Sequence, residues 1–79
     1  MDKPQAIERI QSYLQETTEH WPEPDTNLFL EGILDSFAMV ELLGFLESSF
    51  PVTLNREDIG LDNFATVADI VDFLAENED

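Results

Sequence analysis

Asp35 and Ser36 stand next to each other at the predicted start of a helix, and both residue types are good N-caps. If Asp35 accepts the free backbone N–H groups of the first turn, its carboxylate also opposes the positive end of the helix dipole. The hydroxyl of Ser36 is then unengaged, and a phosphate ester formed on it would lie where free amides favour an anion. The alternative is that Ser36 is itself only a structural cap.

Ser36 is not predicted to be a catalytic nucleophile. A nucleophilic serine needs a neighbouring base, yet the only histidine, His20, lies in a predicted loop, and no Gly-x-Ser-x-Gly turn surrounds Ser36. We expect His20 to be exposed and Trp21 to anchor the loop on the core. The sequence therefore predicts a protein that is not an enzyme.

A group of acidic residues, Glu57, Asp58 and Asp62, does not have the pattern of a metal site. The segment lacks the alternating oxygen ligands and the terminal glutamate of an EF-hand loop. No metal site is predicted.

The segment from Ser36 to Ser49 predicts the most apolar helix of the chain, ended by Pro51. At about 3.6 residues per turn, one side of it is an apolar stripe wide enough to face a core. The other side carries a mixture that includes Ser36, Phe37, Val40, Glu41 and Glu47. One interpretation is an apolar contact patch for a partner, rimmed by negative charge. The other is that a long loop folds over Phe37 and Val40 and buries them.

The rest of the chain predicts helices as well. Proline in the first turn and apolar residues at helical spacing indicate a first helix over roughly 4–17. The connection from there to Leu34 is long for a compact domain, so we expect its apolar residues to pack it. These are Leu28, Phe29, Leu30, Ile33 and Leu34.

The last third of the chain predicts a short helical turn after Asn55, with Asp58 at its third position, and a turn marked by Gly60 and Asp62-Asn63. Thr66 then begins a last helix as part of a capping box. The predicted fold is a single all-α domain over residues 1–79, a bundle of three main helices and one short helix with a long first loop.

Three basic residues against eighteen acidic ones give a net charge of −15. Nucleic acids and anionic membranes need clustered Lys and Arg, so both are excluded as direct partners, and the natural partner surface is basic. The same charge makes a monomer the expectation. There is no cysteine, and no pattern of a signal peptide or membrane span, so we expect a cytoplasmic protein without disulfides.

One run of residues carries a family resemblance. The run Gly32-Ile33-Leu34-Asp35-Ser36-Phe37, followed by Val40-Glu41-Leu42, resembles the attachment motif of the acyl carrier protein family, which includes peptidyl and D-alanyl carriers. Asp25 with Leu28 and Phe29 is similar to the loop before the motif. Asp58 and Thr66-Val67-Ala68-Asp69-Ile70 are similar to the family's third and fourth helices.

The resemblance implies a four-helix carrier in which Ser36 receives 4′-phosphopantetheine from coenzyme A through a phosphopantetheinyl transferase. The thiol of that arm would hold an acyl or aminoacyl group as a thioester, a bond that a chain without cysteine cannot form on its own side chains. Asp35 is the acid of the motif. Phe37, Val40, Glu41 and Glu47 would contact basic client enzymes: an acyl- or aminoacyl-activating ligase and a downstream acyltransferase or synthase.

Phe37, Ala38 and Gly44 depart from carriers of fatty-acid synthesis, which favours an aminoacyl or specialised pathway. The alternative function is an acidic helical interaction module, such as a decoy or nucleic-acid mimic, without a covalent cofactor.

Overall fold

The computed structural model describes residues 1–55, 57 and 59–78. Three α-helices form within this part: α1 (Lys3–Thr18), α2 (Ser36–Ser49) and α3 (Val67–Glu76). A short 3₁₀ helix, Leu61–Phe64, precedes α3. In these residues the only pairing of β type is an isolated bridge between Val52 and Glu78. The predicted all-α bundle of three main helices and one short helix is confirmed, and the bounds predicted for α1 and α2 hold to within one residue.

The start of each main helix is set by a side chain that accepts a backbone N–H. Asp2 accepts from Gln5 at 3.1 Å at the start of α1, where Pro4 occupies the first turn. Thr66 Oγ1 accepts from the N–H of Asp69 at 3.0 Å at the start of α3. Each cap satisfies a donor that the helix itself cannot, which fixes the residue at which the helix begins.

The core lies where the apolar faces of the three helices meet. Its fully buried side chains come from all three helices, from the long loop and from the 3₁₀ helix; the largest are Phe64, Ile10, Leu14, Leu28, Leu42, Leu46, Ile70 and Leu74. Burying a side chain of this size stabilises a fold by about 1.5–3 kcal/mol. These residues therefore hold α2 in place, with one face inward and one face free.

The first part of the long loop between α1 and α2 is hydrogen-bonded to two helices. Buried Gln11 of α1 donates from Nε2 to the carbonyl of Pro22 at 2.8 Å. On the other side the N–H of Ala68 in α3 donates to the carbonyl of Pro24 at 3.0 Å. The loop is thus a fixed connection that bridges α1 and α3.

Leu28 is the central anchor of this loop. Its side chain is fully buried, and its carbonyl accepts from the N–H groups of Ile33 and Leu34 at 2.8 and 3.0 Å. Two expectations about the loop are wrong. Trp21 is 47% exposed and Leu30 is 84% exposed, so neither packs on the core. The side chain of Asn27 accepts from the N–H of Leu30 at 3.0 Å, and the tight turn that results leaves Leu30 at the surface.

The short helical turn predicted after Asn55 lies only partly within the described residues, where Glu57 has 3₁₀ conformation. Asn55 Oδ1 accepts from the N–H of Glu57 at 3.1 Å, as a cap at that position would, but Asp58 lies outside the described residues. The 3₁₀ helix occurs at Leu61–Phe64, where only a turn was expected. The cause is Phe64, which is fully buried with its ring centroid 5.7 Å from that of Phe73. Burying this ring winds the chain into a helical turn.

Candidate functional site

The first turn of α2 is held by Asp35, as predicted. Asp35 has an extended backbone, and its Oδ1 accepts from the N–H of Ala38 at 2.8 Å. Its carbonyl accepts from the N–H of Met39 at 2.9 Å. The residue is therefore the N-cap of α2, and its carboxylate lies at the positive end of the helix dipole.

Ser36 is the first residue within α2 and is exposed. Since Asp35 provides the cap, the interpretation of Ser36 as a structural cap is wrong. Among the described residues its Oγ makes no hydrogen bond. The hydroxyl is therefore free to carry a substituent, and a phosphate there would lie beside the N-terminal amides of the helix, which favour an anion.

The outward side of α2 is not covered by the other described residues. Phe37 is 75% exposed and Val40 is 62% exposed, so the alternative interpretation, in which the loop buries them, is wrong. Glu41 and Glu47 are also exposed on this side. Leu30, in the preceding loop, is a further exposed apolar side chain, although the sequence predicts it to pack the loop. The exposed side of α2 thus combines a free hydroxyl, apolar groups and carboxylates.

Glu41 also acts on the neighbouring helix α1. Tyr13 stacks on Phe45 with ring centroids 4.2 Å apart, which places its phenol beside α2. Desolvation by burial, and secondly the negative charge of Glu41, raise the pKa of Tyr13 above its ordinary value of 10.0. Glu41 is therefore on the exposed side of α2 and is also close enough to Tyr13 for its charge to act on the phenol.

This arrangement predicts the alkaline titration of Tyr13, which is the only tyrosine in the chain. We expect its absorbance to titrate with a midpoint above 10.0, and Glu41→Gln to lower that midpoint without reaching 10.0, because desolvation remains. A raised pKa favours the neutral phenol in the folded state. Its stabilising contribution is thus complete below about pH 10 and is lost as the pH rises through the folded pKa.

Glu47→Gln serves as the control, because it removes the same charge elsewhere on α2. If Glu41→Gln and Glu47→Gln shifted the midpoint of the Tyr13 titration equally, the electrostatic effect could not be assigned to Glu41.

Other kinds of site find little support in the described residues. His20 is exposed in the loop, as expected, and no hydrogen bond in the described part of the chain joins it to Ser36. No group of three histidine, cysteine, aspartate or glutamate residues in that part could hold a metal ion. Within the same residues, no helix is long and apolar enough to cross a membrane.

Comparison with known proteins identifies the class. A family described as the phosphopantetheine attachment site matches residues 7–74, which is most of the chain. The protein belongs to this family.

Individual relatives are D-alanyl carrier proteins. That of Bacillus velezensis is 42% identical over 53 residues, which are 67% of this chain and 68% of that protein. That of Bacillus licheniformis is 43% identical over the same shares of the two chains. The one from Streptococcus pyogenes serotype M1 is 40% identical over 52 residues, 66% of each chain.

Membership of this family establishes what kind of protein the chain is. It is a carrier that holds its cargo as a thioester on a covalently attached 4′-phosphopantetheine arm, and it is a substrate of other enzymes, with no catalysis of its own. The arm supplies the thiol that this cysteine-free chain lacks. The prediction of a phosphopantetheine carrier is confirmed, and no comparison supports the acidic interaction module. Ligases and transferases are its partners as a class.

Proposed function

We propose that Ser36 is the residue that carries the phosphopantetheine arm. The start of α2 supports this assignment. Asp35 is the N-cap, and the exposed Ser36 hydroxyl makes no hydrogen bond in the described part of the chain. The site fits a phosphodiester, because the ester oxygen would sit at the positive end of a helix of fourteen residues. A phosphopantetheinyl transferase would make this ester with coenzyme A as donor: the Ser36 oxygen forms the new bond to phosphorus, the pyrophosphate bond of coenzyme A breaks, and adenosine 3′,5′-bisphosphate leaves.

The experiment is incubation of the purified protein with coenzyme A and a broad-specificity transferase, followed by digestion and mass spectrometry. We expect the mass of the arm on the peptide that contains Ser36. An arm found on another peptide would contradict the assignment.

The exposed side of α2 is proposed as the surface that client enzymes contact. Phe37 and Val40 offer apolar area next to the modified residue, and Asp35, Glu41 and Glu47 surround it with negative charge. A partner with a basic surface would be steered toward the hydroxyl by this charge and held by the apolar groups. The partners proposed are the transferase, a ligase that activates the acyl or aminoacyl group, and a downstream acyltransferase or synthase.

Charge reversal at this surface is expected to slow modification. The double variant Glu41→Lys/Glu47→Lys should lower the rate of arm attachment about tenfold in dilute buffer, because electrostatic steering is lost. The difference should shrink at high salt, where the charges are screened. Rates are measured by intact mass over time at each salt concentration.

The matched control for charge reversal is Glu76→Lys, an exposed position on α3 that changes the net charge away from Ser36. The single variant Glu41→Lys is measured beside it, because it changes the net charge by the same amount. If Glu76→Lys slows attachment as much as Glu41→Lys, net charge and not the surface of α2 sets the rate.

We further propose an aminoacyl cargo, specifically D-alanine. The support is the set of relatives, which are D-alanyl carrier proteins at about 40% identity, together with Phe37, Ala38 and Gly44, which depart from fatty-acid carriers. The test supplies the arm-bearing protein with ATP, a D-alanine-activating ligase and either D-alanine or a short fatty acid with its own ligase. We expect efficient loading of D-alanine, and loading of the fatty acid alone would contradict this proposal.

A further inference from the structure

The long loop contains a cleft whose lining includes no residue of α2. It has a volume of about 360 Å³. Its lining includes Trp21, Glu23, Glu31 and His20, together with Ile33. Trp21 is half-exposed instead of being buried in the core, and both glutamates are exposed. An indole and two carboxylates therefore border the same opening.

This combination of side chains suits an organic cation. The face of an indole attracts an ammonium group within about 6 Å, and it does so more strongly than the other aromatic rings. Two nearby carboxylates add Coulombic attraction and accept hydrogen bonds from N–H groups. The cleft has no lysine or arginine in its lining to compete for them. A metal ion is a poor alternative, because no group of three suitable ligands occurs in the described residues.

The cleft lies within reach of cargo attached at Ser36. Ile33 is three residues before Ser36, so their Cα atoms are at most about 11 Å apart whatever path the backbone takes. The phosphopantetheine arm has a bond path equal to four or five residues of extended chain, which corresponds to about 15 Å. Ile33 and Leu34 are both hydrogen-bonded to the carbonyl of Leu28, which anchors this end of the loop.

We propose that this cleft receives the ammonium group of an aminoacyl cargo, with the Trp21 indole and the carboxylates of Glu23 and Glu31 as its contacts. The inference rests on the function proposed above, because it requires an arm on Ser36 and an amino acid on that arm. An acyl group without an amine gains nothing from these contacts. The cleft thus distinguishes aminoacyl from plain acyl cargo after loading and holds the aminoacyl thioester against the loop.

Trp21 makes the proposal directly measurable, because it is the only tryptophan in the chain. The arm is attached from D-alanyl-coenzyme A or from propionyl-coenzyme A with a transferase, which gives two carriers that differ by the ammonium group. Loading is verified by intact mass, and Trp21 emission is recorded near neutral pH. We expect the emission to change with D-alanyl cargo relative to the free-thiol form and to stay unchanged with propionyl cargo.

Variants identify the contacts. Glu23→Gln/Glu31→Gln should reduce the emission change about two- to fivefold, the factor expected for the loss of exposed ion pairs. Both positions are exposed, so the fold should persist, which circular dichroism verifies. Glu76→Gln on α3 is the control and should leave the emission change intact. The change should also decrease at high salt.

The outcomes separate this proposal from the one on which it rests. Identical Trp21 emission for D-alanyl and propionyl carriers of verified mass would overturn the cleft proposal and leave the carrier function standing. An emission change that the double glutamine variant retains in full would also overturn it. If no arm is attached at Ser36 at all, the proposed function fails, and the cleft proposal fails with it.

Discussion

Replacing Ser36 with alanine is expected to abolish attachment of the phosphopantetheine arm completely. The reaction needs one hydroxyl at the start of α2, and Ser36 is the residue that presents it there. Intact mass is measured after incubation with coenzyme A and a transferase. The wild type should gain the mass of one arm, and Ser36→Ala should gain none.

The control for this prediction is Ser12→Ala, which removes another exposed serine, from the middle of α1. It should be modified like the wild type. Ser36→Ala should also fold normally, within about 0.5 kcal/mol of the wild type, because the Ser36 hydroxyl has no hydrogen-bond partner among the described residues and the Asp35 cap is retained. Attachment of the arm to a folded Ser36→Ala variant would contradict the assignment.

The second large effect is expected from Phe64→Ala. Phe64 is fully buried, and its ring packs against Phe73 of α3. Truncating a buried phenylalanine costs about 3–5 kcal/mol, from lost burial and from the cavity that remains. A domain of this size has only about 4–12 kcal/mol of stability in total, so the loss would be between about a quarter and all of it. Chemical denaturation measures the change in the free energy of unfolding.

Phe37→Ala provides a matched control, since it removes the same side chain from a position that is 75% exposed. Its effect on stability should stay within about 0.5 kcal/mol. For the rate of arm attachment to the folded protein we expect the reverse. Phe37→Ala should lower this rate, whereas Phe64→Ala should affect attachment only by unfolding the protein. If the two variants lost equal stability, the burial of Phe64 or the exposure of Phe37 would be wrong.

The helices and the cap could be predicted from the sequence because they depend on local signals. Asp2 with Pro4, and Thr66 with Asp69, mark helix starts through interactions over three residues, and these are visible in the sequence. The free hydroxyl of Ser36 followed from two adjacent capping residues, of which only one is needed. Local capping signals in the sequence therefore predicted the residue at which α2 begins and the free hydroxyl of Ser36.

The errors concern residues whose burial depends on distant parts of the chain. Trp21 and Leu30 are apolar, and a sequence alone gives no reason to place them at the surface. Leu28 was predicted to pack the loop and is buried, and its backbone N–H donates to the distant carbonyl of Ala65 at 2.7 Å. The 3₁₀ helix accompanies the burial of Phe64 against Phe73, a contact that the sequence does not specify.

The most direct measurement is the mass of the Ser36 peptide from protein purified from its native source. The account predicts that a substantial part of this peptide carries the 4′-phosphopantetheine arm, with or without cargo. If the peptide never carries the arm in cells that possess a competent transferase, Ser36 is not the attachment site, and the central proposal is contradicted.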